Sequence, residues 1–192
     1  HGVPAALIAV AASQFLAGPR GLLGGGCQLT SPETVLNHLD EAFPFERFDS
    51  YFTIVCLSID LRRGTLTYGG AGHPPPVLLR SNGDLKVLDY RGPVIGYGPD
   101  QPYSQKALGL EAGDKIVLYT DGLTENRGRG GRAFGRDRFY AMLRRTLHRP
   151  VEDIVEAVHA EAGRFLEGVA PDDDISLLGV EYTGASANHF TI

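Results

Sequence analysis

Between residues 51 and 120 the chain alternates short apolar, β-branched or aromatic segments with glycine, proline and Asn-Gly interruptions. That rhythm commits the middle of the chain to antiparallel β-structure, because each segment is too short for an ordinary helix and each break carries turn chemistry. Residues 51–60 (YFTIVCLSID) are apolar at consecutive positions, which predicts a strand covered on both faces. LRRG (61–64) turns it into 65–71, a first hairpin. A second is predicted over 76–90 around Asn82-Gly83, and a third over 103–120, turning at Ala112-Gly113-Asp114.

Helical patterns frame this middle. Residues 1–15 (HGVPAALIAVAASQF) are small and apolar, with Pro4 suited to a first turn, and predict a helix buried on most sides. The glycine-rich segment 17–30 breaks regular structure. Ser31-Pro32 then opens a helix as N-cap and first residue, and Val35, Leu36, Leu39 and Phe43 recur at helical spacing. Helical spacing returns over 136–147 and 151–166, and 175–182 reads as a closing strand. Helices segregated from antiparallel hairpins predict an α+β fold with a single core and no internal repeat. The tail after 183 has little to bury except Phe190 and Ile192.

Bulk properties exclude several function classes. A chain of 192 residues, 43% hydrophobic and 21% charged, suits one globular domain. Its net charge of −5 lacks the basic excess that phosphate-backbone binding needs, so nucleic acid is not expected as a partner. The local basic run 126–138 (NRGRGGRAFGRDR) reads as a solvated loop able to meet phosphate. No apolar stretch approaches the ~20 residues of a membrane helix. Two cysteines, Cys27 and Cys56, suggest neither a disulfide framework nor a thiolate metal site, and a cytoplasmic setting fits. With His1 first and Met142 the sole methionine, the sequence reads as a piece of a longer protein.

Two acidic segments carry the chemistry. In KIVLYTDGLTEN (115–126) an apolar strand runs directly into Asp121, Gly122 and Glu125. A turn aspartate, a helix N-cap, a nucleophile and a metal ligand all fit such a position. The nucleophile reading requires a second aspartate two residues earlier, as in haloacid-dehalogenase phosphatases, and Tyr119 stands there. In 170–180 (APDDDISLLGV) three aspartates precede an apolar strand. Such a run is often solvated surface, yet like charges at a strand mouth repel, and a hard divalent cation would relieve them. His73, among the glycines and prolines of 69–79, fits a structural histidine bonded to loop backbone better than a ligand.

Taken together, HGVPAAL (1–7), AGHPPPVLL (71–79), YTDGLTE (119–125), FGRDR (134–138) and DDDISLL (172–178) resemble, in order and spacing, the bacterial metal-dependent serine phosphatases of the PPM superfamily. The similar branch is that of stage II sporulation protein E and RsbU. The resemblance spans residues 1 to about 183, with 184–192 as a tail, and implies an α-β-β-α sandwich of two mostly antiparallel sheets flanked by helices. It implies a Mn²⁺ or Mg²⁺ pair that activates water for attack on phosphoserine or phosphothreonine. Asp121 matches one metal ligand. Asp173 matches another, lying three residues before Ser176, with Asp172 and Asp174 as neighbouring alternatives.

The family's Gly-Asp-x-x-Gly motif, whose aspartate bridges both metals, should precede His-Gly and is therefore expected upstream of His1, along with the first strands. The resemblance further implies a phosphorylated STAS-type regulatory protein as substrate and a sensory or receiver domain upstream. An edge left open by missing strands would favour a homodimer. A regulatory module that keeps the fold without catalysis is the competing expectation.

Overall fold

The computed structural model describes residues 3–17, 31–98 and 102–184. The expectations placed on His1, Cys27, the glycine-rich segment and the tail residues Phe190 and Ile192 lie outside the described residues. The chain forms two compact units.

The first unit opens with α1 (Val3–Ala17), α2 (Pro32–Ala42) and the short α3 (Phe45–Phe48). Ser31 caps α2 as its sequence suggests, the hydroxyl accepting the Thr34 N–H at 3.2 Å. The helix then buries Pro32, Val35, Leu36 and Leu39, one face at helical spacing. That face packs on a three-stranded sheet ordered β1 (Ile54–Asp60), β2 (Thr65–Ala71) and β5 (Lys106–Gly109). The first hairpin forms as expected, antiparallel from Ile54↔Ala71 to Asp60↔Thr65.

Two expectations fail here. β1 is half-buried along its whole length instead of covered on both faces. It is an edge strand, with no neighbour on one flank of its sheet among the described residues. α1 forms, but it is not buried on most sides: Leu7 is 66% exposed and Val10 56%, whereas Ala12 is 8% exposed. Its inner side meets the cluster of Val35, Leu36, Leu39, Phe43, Ala71, Ile95 and Tyr103 through Ala11, Ala12, Phe15 and Leu16. A helix apolar on every side does not declare which side is covered. In β1, burial pushes the Cys56 thiol up to about 11.

The second unit holds a four-stranded sheet ordered β4 (Leu85–Val87), β3 (Val77–Leu79), β6 (Asp114–Tyr119) and β7 (Leu177–Tyr182). Every neighbouring pair in it is antiparallel. The helices α5 (Arg136–Thr146) and α6 (Val151–Leu166) pack together, and their Phe139, Leu143, Ile154 and Val158 join Val77, Leu79, Val117 and Tyr119 of the sheet in one cluster. The described residues thus carry two apolar clusters where a single core was expected. The second hairpin is present as β3–β4, with Asn82 accepting the Asp84 N–H at 3.0 Å.

The third predicted hairpin does not exist. β5 joins the first sheet and β6 the second, although the 112–114 turn between them forms. Asp114 is the first residue of β6. Fully buried, its carboxylate binds the Arg80 guanidinium at 2.8 Å and accepts the backbone N–H groups of Ser81 and Glu111 at 2.9 Å each. These contacts tie the start of β6 to the β3–β4 hairpin, and the same guanidinium donates to the Gly109 carbonyl at the end of β5 at 2.8 Å. The β1–β2 pair and every neighbouring pair of the second sheet are antiparallel, and helices pack on each sheet, so the α+β expectation holds. Among the described residues no helix is long and apolar enough to cross a membrane.

Candidate metal site at the ends of β6 and β7

β6 is buried at every residue except Leu118 and is flanked by β3 and β7. The β6–β7 register runs from Asp114↔Tyr182 to Tyr119↔Leu177. An antiparallel pair that ends on Tyr119 and Leu177 brings whatever follows β6 next to whatever precedes β7. Thr120 donates its N–H to the Ser176 carbonyl at 3.1 Å, carrying the pairing one step further. Its hydroxyl accepts the Ser176 N–H at 2.9 Å and donates to the Asp174 carbonyl at 3.0 Å.

At that point the chain enters α4 (Asp121–Glu125), a single helical turn. Asp121 is its first residue and not its cap. Gly122 shows why this position lacks a side chain: a Cβ there would lie 2.3 Å from the Asp174 carbonyl oxygen and 3.1 Å from that of Asp173. The Asp-Gly pair therefore marks the contact of two backbones, whereas a turn was the simplest sequence reading.

Asn126 completes the junction. Buried to 2% exposure, it donates from Nδ2 to the Asp173 carbonyl at 2.8 Å. Its Oδ1 accepts the N–H groups of Asp172 at 2.5 Å and Asp173 at 3.2 Å. One side chain thus holds both sides of the Asp173 peptide unit. Nothing in the sequence singled out Asn126, because its partners lie 46 and 47 residues away.

The two predicted ligand positions are accordingly neighbours, Asp121 on α4 and Asp173 on the loop that Gly122 and Asn126 hold. Both side chains are exposed, as are Asp172 and Asp174. Asp121 Oδ1 accepts the Gly122 N–H at 3.0 Å, and Asp173 Oδ1 the Asp174 N–H at 2.8 Å. None of the four forms an ion pair among the described residues. A thiol-free, oxygen-only donor set with an unopposed negative charge fits a hard divalent cation. Among the described residues no three acidic, histidine or cysteine side chains converge as a metal cluster. His73 lies in the first unit, where its Nδ1 is 3.2 Å from the Thr53 hydroxyl and its carbonyl accepts the Tyr90 hydroxyl, in line with a structural role.

The family model of stage II sporulation protein E matches residues 1–183. The chain belongs to the SpoIIE family. Protein IcfG of Synechocystis is 31% identical over 122 residues, 64% of this chain and 19% of that protein. The phosphoserine phosphatase RsbP of Bacillus subtilis is 28% identical over 126 residues, 65% of this chain and 31% of that protein. This SpoIIE-family chain thus spans less than a third of these curated relatives. Among solved structures, the SiaA-PP2C domain of Pseudomonas aeruginosa superposes with a TM-score of 0.78 at 26% identity, covering 94% of this chain and 71% of that one. The fold is therefore that of a PP2C-type, or PPM-type, phosphatase domain.

Proposed function

We propose that this domain hydrolyses phosphoserine or phosphothreonine in a partner protein, with Asp121 and Asp173 as ligands of Mn²⁺ or Mg²⁺. The observation that carries the reading is the interlock of two strand ends, Gly122 against Asp174 and Asn126 around Asp173, which leaves exposed carboxylates together without a counter-ion. SpoIIE-family membership and a relative named as a phosphoserine phosphatase support it.

Bound there, such cations would neutralise charge on the phosphoryl oxygens and supply hydroxide near neutral pH. The chain's own contribution is position. A backbone amide holds one carboxylate oxygen of Asp121 and of Asp173, which limits each side chain's rotation. Asn126 and Thr120 hold the backbone of the 172–174 loop against the end of β6, which supports placing the two carboxylates on the same side of the site. Further oxygen donors would come from water, from phosphate or from acids beyond the described residues.

We assign a phosphorylated STAS-type regulatory protein as substrate and a sensory or receiver domain as the source of control, both by family resemblance. A cytoplasmic setting goes with that assignment. Asp121→Asn in the full-length protein tests the reading, because asparagine keeps the shape and removes the charge that holds a cation. Mn²⁺-dependent hydrolysis of a phosphoserine protein should fall about a hundredfold or more, as for loss of a group that stabilises the transition state electrostatically. The thermal midpoint should stay that of wild type. Turnover within a few-fold of wild type would exclude Asp121 as a ligand, and a wild-type protein inert with Mn²⁺ would favour the non-catalytic module.

A further inference from the structure

The basic run 127–138 plays no part in holding the acidic loop, yet the structure gives it a definite form. The loop after Asn126 closes on itself: Gly128 N–H donates to the Arg132 carbonyl at 3.1 Å, Gly131 N–H to Gly128 at 2.8 Å, and the Arg127 guanidinium to Gly131 at 2.7 Å. Gly128 presses on the end of α6, where a Cβ would meet the Phe165 carbonyl oxygen at 2.7 Å. Gly131, at φ +70°, sits in the left-handed region that glycine tolerates. A solvated loop of no consequence needs none of these constraints.

Between this loop and α6 lies an open hollow of about 380 Å³, lined by Arg129, Arg132, Arg138, Arg164, Glu161 and Glu167 among others. Arg164 pairs with Glu161 at 2.8 Å. Arg138 is laid over the rings of Phe165 at 4.4 Å and Phe134 at 5.4 Å, which fixes its guanidinium without consuming its charge. Arg129 and Arg132 are exposed and have no ion-pair or hydrogen-bond partner for their side chains among the described residues. Against them stands Glu167, so the hollow keeps an excess of two positive charges.

Its walls lead directly into the acidic site. Arg127 follows Asn126, which grips Asp172 and Asp173, and Phe134 on the returning limb donates its N–H to the Asn126 carbonyl at 3.1 Å. On the other wall, Glu167 is five residues before Asp172 in the sequence.

We propose that this hollow docks an acidic segment of the phosphoprotein substrate, carboxylates on Arg129, Arg132 and Arg138, while the phosphorylated residue reaches Asp121 and Asp173. The proposal rests on the phosphatase reading above and names its substrate class: phosphosites flanked by aspartate or glutamate. Guanidinium groups match carboxylates by bidentate bonding. Here they come from a loop and the first turn of α5, a spread that suits several carboxylates along a peptide better than one small anion. A net charge of −5 disfavours a polynucleotide.

The test uses the full-length protein without added metal, so that binding is read apart from hydrolysis. A fluorescent peptide of alternating glutamate and serine should bind, and its glutamine counterpart should not. Arg129→Ala with Arg132→Ala should weaken the glutamate peptide about tenfold at low salt, and the difference should shrink as salt rises from about 50 to 300 mM. With Mn²⁺ present, the same double variant should raise KM for a phosphopeptide with glutamate flanks and leave KM for glutamine flanks unchanged. Equal binding of the two peptides, or arginine-independent binding, would overturn the docking site. Tighter arginine-dependent binding of a single-stranded oligonucleotide or an anionic-lipid vesicle would overturn the choice of peptide. Arginine-dependent peptide binding in a protein that hydrolyses nothing would sink the phosphatase reading and leave the docking surface in place.

Discussion

β1 and β6 look alike as sequence. IVCLSID and DKIVLY are both short, β-branched and apolar, and both invite the reading of a strand covered on its two faces. They end up differently. β1 stands at the edge of a three-stranded sheet with no residue fully buried, whereas β6 lies between two antiparallel neighbours and buries all but one of its residues. Apolar content therefore sets which segments become strands, and place in the sheet sets how much water each loses. The end of the second kind of strand carries the chain directly into the junction with the 172–174 loop.

The contrast predicts an unequal response to charge. Asp114→Ala should have the largest effect, since it leaves Arg80 and two backbone N–H groups facing an emptied, fully buried site. Breaking a buried ion pair by removing one partner costs about 3–5 kcal/mol, read here by denaturant unfolding. A loss below about 1 kcal/mol would mean that the start of β6 is held by something else.

Gly122→Ala comes next. The added Cβ would have to push the 173–174 backbone away, at about 1–3 kcal/mol for an overpacked contact. Its sharper readout is Mn²⁺ affinity, which should fall further than the stability loss explains, because the displaced loop carries Asp173. Unchanged affinity would separate the two strand ends functionally.

Leu7→Asp should have the smallest effect, within about 0.5 kcal/mol, since the side chain is 66% exposed on the outer side of α1. From sequence alone this substitution would be expected to cost several kcal/mol. A large loss in the full-length protein would show that α1's apolar outer face is covered there.

What could be read in the sequence depended on how far away the deciding partner lay. The β1–β2 hairpin and the Ser31 cap are decided within a few residues, and both were legible. The helix patterns over 136–147 and 151–166 were equally so, since periodicity is local. The 103–120 hairpin was misread because its turn chemistry is genuine while the strand partners of β6 are the distant β3 and β7. At the site, the meeting of the two segments that carry Asp121 and Asp173 could be read from two strand ends, but the contacts that hold those segments together could not. Asn126 looks like any helix-terminal asparagine, and Gly122 like any turn glycine, until the 171–176 loop is laid against them.

The β6–β7 register also bears on how such a chain can change over generations. The segments between the two strands, including the 127–133 loop and the 167–171 connection, can gain or lose residues without moving Tyr119 from Leu177. The strands themselves have no such freedom. A one-residue insertion inside β6 or β7 would reverse the facing of every side chain beyond it and carry Asp121 and Asp173 to opposite sides of the sheet. Length variation between the two strands is thus confined to the connections outside α4, the aspartate loop and the buried faces of α5 and α6, and it is forbidden in the twelve residues that form the pair. Parity, rather than spacing, is what descent has to preserve.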